Sequence, residues 1–184
     1  MLVVDNFDSF VYNLVQYLGQ LGVRSIVRRN DAVRVEELAD LDVAGVLLSP
    51  GPGDPAPLAN ETKMLQELLG RTPVLGVCLG HQLLAQATGK ETFKLPFGHR
   101  GANHPVLDRR SGTVLVTSQN HGFAVAAGDE SGVTHASLYD GTVEGLDYPE
   151  LRARSAQFHP EASPGPHDAA GIIAGFVQEL KAVA

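Results

Sequence analysis

The chain has 184 residues, with 14 Lys and Arg against 21 Asp and Glu, a net charge of −7, 43% hydrophobic and 19% charged residues. This is the balance of a globular chain with a core of its own, and acidic charge without a long basic run argues against a nucleic-acid surface. The single cysteine excludes an internal disulfide framework and suits a reducing compartment.

No stretch reaches the ~18 apolar residues of a membrane span. Met1-Leu2-Val3-Val4-Asp5 lacks the basic start and apolar core of a signal peptide. The expectation is therefore one domain over residues 1–184, cytoplasmic and away from membranes, without internal repeats.

Leu2-Val3-Val4 predicts a short buried strand. Residues 5–9 turn the chain, with Asp8 or Ser9 as candidate N-cap. Phe10, Val11, Leu14, Val15, Leu18 and Leu21 then share one helical face, and Gly22 ends the helix. Residues 24–29 predict a second strand, and Ala44-Gly45-Val46-Leu47-Leu48-Ser49 a third. Such continuous apolar runs suit parallel strands covered on both faces, and their alternation with helices argues for α/β architecture.

Pro50-Gly51-Pro52-Gly53-Asp54-Pro55 follows the third strand. Three prolines and two glycines in six residues make a rigid loop. It lies at a strand's C-terminal end, where open α/β sheets bind ligands. Gly51 and Gly53 let backbone N–H groups approach a ligand and leave the peptides free to turn. A plain surface turn is the simpler alternative. Residues 58–69 predict a helix.

An apolar run, Pro73-Val74-Leu75-Gly76-Val77, leads into Cys78, and Leu79, Leu83, Leu84 and Ala87 continue with helical spacing. Gly76-Val77-Cys78-Leu79-Gly80 is the thiol form of a nucleophile elbow. A tight strand-to-helix turn leaves no room for side chains two positions away on either side. It also sets the sulfur at a helix N-terminus, where N–H groups favour the thiolate, the reactive form. The competing interpretation is a small, buried, inert cysteine.

After this helix, residues 93–105 are rich in Gly, His and Pro. Residues 113–117 predict a strand, and Ser118-Gln119-Asn120-His121-Gly122-Phe123 a polar turn. Short strands are expected near 133–138, 142–146 and 153–158. The last helix carries Ile172, Ile173, Phe176, Val177 and Leu180 on one face, with Asp168 as N-cap.

Cys78 needs a base, and His159 is the best placed of seven histidines. It ends a predicted strand, as Cys78 does, and Pro160 holds the backbone extended. Residues i and i+2 of an extended chain point the same way, so Glu161 would lie beside the imidazole and fix its tautomer. Such a base belongs about 3–4 Å from the sulfur. A surface His and Glu that happen to be near is the alternative. His81, in the first turn of the elbow helix, is expected to pack or cap.

His99, His104 and His121 could converge, with Asp108 nearby. No helical H-x-x-x-H and no second cysteine completes a zinc spacing, so no metal is expected.

Pro50-Gly51-Pro52-Gly53, Gly76-Val77-Cys78-Leu79-Gly80-His81-Gln82 and His159-Pro160-Glu161, in this order, resemble the class I (triad) glutamine amidotransferases. The resemblance spans nearly the whole chain. It implies an open, mostly parallel twisted sheet with helices on both faces, flavodoxin-like, and hydrolysis of glutamine to supply ammonia to a synthase partner, with no cofactor. By motif, Cys78 is the nucleophile, His159 the acid/base and Glu161 its orienting partner. The N–H groups of Leu79 and of the Gly51–Gly53 loop would form the oxyanion hole.

Residues 2–22, with Asp5-Asn6-Phe7-Asp8-Ser9-Phe10, resemble the amidotransferase subunits of anthranilate and aminodeoxychorismate synthases. From about residue 53 the chain resembles the carbamoyl-phosphate synthetase small subunit. That likeness rests on residues 97–106, 118–125, 134–141 and 159–168. It implies that Gln82, Asn120, Gly122 and Phe123 help hold glutamine. The chain starts where the chorismate-linked subunits start, so contacts from that small subunit's extra N-terminal domain are expected to be missing. The chorismate-linked His-Ser-Leu stretch is replaced by Asn120-His121-Gly122. A non-catalytic docking module and another thiol hydrolase on the same fold are the alternatives to a glutaminase.

Overall fold

A computed structural model describes residues 1–34, 42–162 and 165–183. Residues 163 and 164, within the resemblance stretch 159–168, lie outside the described residues. The first part alternates β1 (Leu2–Asp5), α1 (Val11–Gln20), β2 (Ile26–Arg29), β3 (Val46–Leu48), α2 (Ala59–Leu68), β4 (Val74–Val77) and α3 (Leu79–Ala87). Four antiparallel strands follow: β5 (Thr92–Asp108), β6 (Val114–Val125), β7 (Val133–Ser137) and β8 (Val143–Tyr148). The described chain closes with β9 (Ala153–Ala156) and α4 (Gly171–Val183).

The strand order is β2-β1-β3-β4-β9-β8-β6-β5-β7. From β2 to β9 every pairing is parallel. This is the 2-1-3-4-5 order of doubly wound sheets, which place ligands at the carboxyl ends of their strands. β1, β3 and β4 are almost wholly apolar, and their alternation serves two faces at once. Val3, Leu47, Leu75 and Val77 pack against Val11, Leu14 and Leu18 of α1 and Ile173, Phe176 and Val177 of α4. Leu2, Val4, Val46, Leu48 and Val74 face Met64, Leu65 and Leu68 of α2 and Leu79, Leu83 and Leu84 of α3. Each fully buried Leu or Val here contributes about 1.5–3 kcal/mol of burial.

The expectation of an open, mostly parallel sheet holds for this half only. β8, β6, β5 and β7 pair antiparallel, and β7 also pairs with β8, so these four strands close back on themselves. They form one long excursion between β4 and β9. The stretch 118–123, expected as a polar turn, lies inside β6. Its buried side is Thr117, Gln119 and His121, polar groups satisfied by hydrogen bonds, so no apolar alternation announces a strand.

The expected caps also differ. α1 has no side-chain cap, and Asp8 instead accepts the Phe10 N–H at 2.8 Å. Asp168 accepts the Val116 N–H of β6 at 3.0 Å rather than capping α4. Among the described residues no helix is long and apolar enough to cross a membrane.

Two histidines are buried, His81 in the core and His121 against the wall of a cavity. His81 is fully buried, its Nδ1 2.8 Å from the Ser155 hydroxyl, and burial holds its pKa down to about 3. Burial first, then the neighbouring histidines, holds His121 at about 4 despite its bond to the Phe123 carbonyl. Both lie below the ~6.5 of an unfolded histidine, so between those values the unfolded chain binds more protons. Their stability is fully present above ~6.5 and falls with pH below it. Denaturant midpoints should therefore drop from about pH 7 to about pH 5, and His81→Asn should flatten the slope by ~1.4 kcal/mol per pH unit. An unchanged slope in that variant would show that His81 is not held neutral.

Candidate active site

The turn after β4 is built by exclusion. Cys78 adopts φ 53° and ψ −102°, a left-handed conformation that a side-chain-bearing residue enters at a cost of ~1–3 kcal/mol. Two close approaches hold it there. A Cβ on Gly76 would lie 2.4 Å from the Gly80 carbonyl oxygen, and one on Gly80 would lie 2.5 Å from the Leu48 carbonyl oxygen. β4 thus meets α3, and α3 meets β3, at backbone contact distance. The Cys78 N–H donates to the Ala156 carbonyl at 2.9 Å, which ties the turn to the end of β9. The cysteine is buried yet opens into a cavity of about 590 Å³.

His159 and Glu161 line the same cavity. His159 follows β9 by three residues, and its N–H donates to the Ser118 carbonyl of β6 at 2.9 Å. Its Nδ1 is 2.7 Å from Glu161 Oε1. The segment is not extended as expected. It turns, closed by the Ala162 N–H to the His159 carbonyl at 3.2 Å, and the turn brings the two side chains together.

Burial alone would push the imidazole's pKa down, but the Cys78 sulfur and then the Glu161 carboxylate raise it to about 11. Among the described residues His159 Nε2 has no hydrogen-bond partner of normal geometry, although the sulfur is near enough to raise the imidazole's pKa. Such bonds are often long in a resting enzyme and tighten around a substrate. An imidazole held between a thiol and a carboxylate can take the thiol proton, becoming the imidazolium that the carboxylate stabilises, and give it up again.

The remaining walls come from both halves of the sheet. Gly51, Gly53, Gln82, Asn120, Gly122 and Phe123 all border the cavity. Leu79 does not line it with its side chain. Its N–H, as the first of α3, has no acceptor within the helix and stands beside Cys78. Gln82 Nε2 is engaged by the Phe123 carbonyl at 2.8 Å and by Gln157 Oε1 at 3.1 Å.

Gly51 is not the free hinge expected: a Cβ there would meet the Asn6 carbonyl oxygen at 2.6 Å and Leu79 Cδ2 at 2.7 Å. Gly53, at φ +96° with open space around it, keeps that freedom.

The three histidines raised as a metal set do come together. The His99 ring lies 4.8 Å from His121 and 5.4 Å from His104. Asp108 is not with them; it binds Ser111 and the Arg110 N–H. His99, His121 and the fully buried Glu144 bring ligand-type atoms within 4.8 Å of one another. Hydrogen bonds account for these groups except His99 Nδ1, which lies 3.5 Å from Glu144 Oε1 without a hydrogen bond among the described residues. His99 Nε2 is 2.9 Å from Asp140, His121 Nδ1 and Nε2 are each 2.7 Å from the Phe123 carbonyl and Gln119 Oε1, and Gln119 Nε2 donates to Glu144 at 2.8 Å. Glu144 first, then Asp140, hold His99 above its ordinary pKa against burial. The network braces the β6 wall from behind.

Sequence reasoning missed Asp8, Arg100 and Ser118, which also line the cavity. A strand assignment for 118–123 would have found Ser118, because Ser118, Asn120 and Gly122 then share one face. Asp8 reads as a candidate N-cap, and nothing local to it points to a cavity.

The class I glutamine amidotransferase family profile matches residues 2–179. A carbamoyl phosphate synthase small chain from Rhodopirellula baltica is 46% identical over 175 residues, 92% of this chain and 44% of the relative. The chloroplastic small chain of Arabidopsis thaliana is 43% identical over 92% of this chain and 40% of its own length. That of Bacillus caldolyticus is 50% identical over 79% and 41%. The chain thus spans less than half the length of these relatives.

A Thermoplasma acidophilum protein assigned as part of a GMP synthase superposes with a TM-score of 0.80 at 21% identity, over 99% of this chain and 95% of the other. PurLQS from Thermotoga maritima gives 0.74 at 14% identity, over 97% of each chain. Those two likenesses concern the fold alone; the profile match over the length of the chain carries the assignment. This chain belongs to the class I glutamine amidotransferases.

Proposed function

We propose that residues 1–184 form one amidotransferase domain that hydrolyses the side-chain amide of glutamine and releases ammonia to a synthase partner. The observation that carries this is one cavity holding a cysteine in a strained strand–helix turn and a histidine bonded at 2.7 Å to a buried glutamate. Cys78 attacks the amide carbon. His159 takes the thiol proton and returns it to the leaving ammonia. The tetrahedral oxyanion is met by the Leu79 N–H and an N–H of the Gly51–Gly53 loop. Water then attacks the thioester with His159 as base, giving glutamate and the free thiol. Glu161 orients the imidazole. Gln82, Asn120, Gly122 and Phe123 hold the glutamine, and the mechanism needs no metal or cofactor.

The similarity to carbamoyl phosphate synthase small chains favours a large synthase subunit of that type as ammonia acceptor. The N-terminal resemblance keeps a chorismate-using synthase as the second candidate. The single reduced thiol suits a cytoplasmic setting. Coupling to the partner would act through the oxyanion loop, because the elbow is wedged and Gly53 is free to turn.

Cys78→Ala should abolish glutamine hydrolysis with the fold retained by circular dichroism. His159→Ala should cost nearly as much, and Glu161→Ala less, because it leaves base and nucleophile in place. Turnover that survives in Cys78→Ala would exclude a thiol mechanism.

The isolated chain should turn over glutamine slowly, and the right partner should raise turnover by about 10²–10³, the worth of one oxyanion donor. Pull-down and ammonia release with the large subunit of carbamoyl-phosphate synthetase and with a chorismate-using synthase decide between the candidates. Full activity that neither partner changes would remove the need for a switch.

A further inference from the structure

Behind the β6 wall lie buried titratable groups that the proposed mechanism leaves unused. Three contacts run in line there. His121 Nδ1 stands 2.7 Å from the Phe123 carbonyl, His121 Nε2 stands 2.7 Å from Gln119 Oε1, and Gln119 Nε2 stands 2.8 Å from Glu144 Oε2. The inner end of the line reaches the active site. The Phe123 carbonyl also accepts from Gln82 Nε2 at 2.8 Å, and Gln82 borders the cavity.

Each contact needs one hydrogen between its two atoms. The Phe123 carbonyl supplies none. The Gln119 amide has an oxygen at one end and an NH2 at the other, so it supplies a hydrogen to one of its two contacts. A neutral imidazole supplies one more. Two hydrogens over three contacts would leave a pair of lone pairs face to face at 2.7–2.8 Å. The line therefore holds one further proton. Either His121 carries it, as an imidazolium in line with a Glu144 carboxylate, or Glu144 carries it as the acid. In the second form the Gln119 amide is turned end for end, which fills the same space, and His121 is neutral.

Burial decides between the two forms. The first puts two charges out of water and the second none. Glu144 is fully buried, and His121 nearly so. A Glu144 carboxylate would also be poorly supported. The Thr142 hydroxyl has one hydrogen and is nearer to Asp140 Oδ1, at 2.8 Å, than to Glu144 Oε1, at 3.4 Å. His99 Nδ1 comes no closer than 3.5 Å, and His99 keeps Asp140 as partner of its other nitrogen in either form. Turning the amide gives up the long 3.3 Å contact from Gln119 Nε2 to the Thr117 hydroxyl.

We propose that Glu144 stands as an uncharged acid that donates to Gln119, and that through Gln119 and His121 it is a positioning residue for the Phe123 carbonyl and Gln82. It touches no substrate. The positioning role rests on the amidotransferase function proposed above; the place of the proton does not.

The test uses the whole chain, glutamine turnover and the infrared spectrum. Glu144→Gln offers an NH2 where the acid offers its O–H, so all three contacts survive without an added proton. Its KM for glutamine should stay within about twofold of native, with kcat and denaturant midpoint held. Glu144→Ala leaves Gln119 unpartnered and should raise KM roughly tenfold with kcat little changed. Glu144→Leu, close in size and without polar atoms, should do the same and serves where the alanine variant proves too unstable to assay. At neutral pH a carboxylic-acid C=O band should be present in the native chain and absent from Glu144→Gln. A carboxylate band lost instead would place the proton on His121 and overturn the proposal. KM unmoved in the alanine and leucine variants would overturn the positioning role. A native chain that does not hydrolyse glutamine would overturn the function proposed above and the positioning role with it, while the infrared band still decides where the proton lies.

Discussion

The backbone contact at the Cys78 turn is the constraint around which the rest is arranged. A left-handed cysteine persists only where its surroundings over-determine it. Here β4 is pinned between β3 and β9, the Cys78 N–H is spent on Ala156, and α3 is drawn against Leu48 so closely that no side chain fits at Gly76 or Gly80. The apolar layers on both faces of the parallel strands supply the rigidity. The sulfur is thereby presented at a helix N-terminus without depending on any loop.

Everything opposite the sulfur is contributed by chain that is distant in sequence. The antiparallel strands leave the parallel sheet after α3 and return as β9, and this return delivers His159 beside Ser118. The wall they form is braced by a buried polar network rather than by an apolar core. His99, His121, Gln119, Glu144 and Asp140 are linked by hydrogen bonds in a low-dielectric setting, where each bond gains strength and each unmade one is costly. Such a wall holds Asn120, Gly122 and Phe123 in one register, as a pocket for a small polar substrate requires.

Similarity of fold persists at 14–21% identity to two solved structures over nearly the whole chain. The small-chain relatives, at 43–50% identity, share far more of the sequence over a segment less than half their length. The parallel scaffold and its elbow satisfy packing rules that many sequences meet.

The parallel half could be read from the chain alone, because its strands are continuous apolar runs and its helices have one apolar face. The elbow could be read too, since only glycines permit that turn around Cys78. The pairing of His159 with Glu161 was legible in outcome but not in cause: the two meet through a turn, where an extended segment had been expected. Strand β6 was not legible, because its buried side is Thr117, Gln119 and His121, and a polar interior shows no hydrophobic period. Nor were the pairings of β5 with β7 and of β6 with β8, which join strands that are not neighbours in sequence. The cavity and its charges belong to the same class. Asp8 and Arg100 are ninety-two positions apart and meet only when the sheet brings the β1 loop and β5 to the rim of one pocket. Local propensity and periodicity act over a few residues, while the site is made by contacts across the whole chain, and those exist only once it has folded.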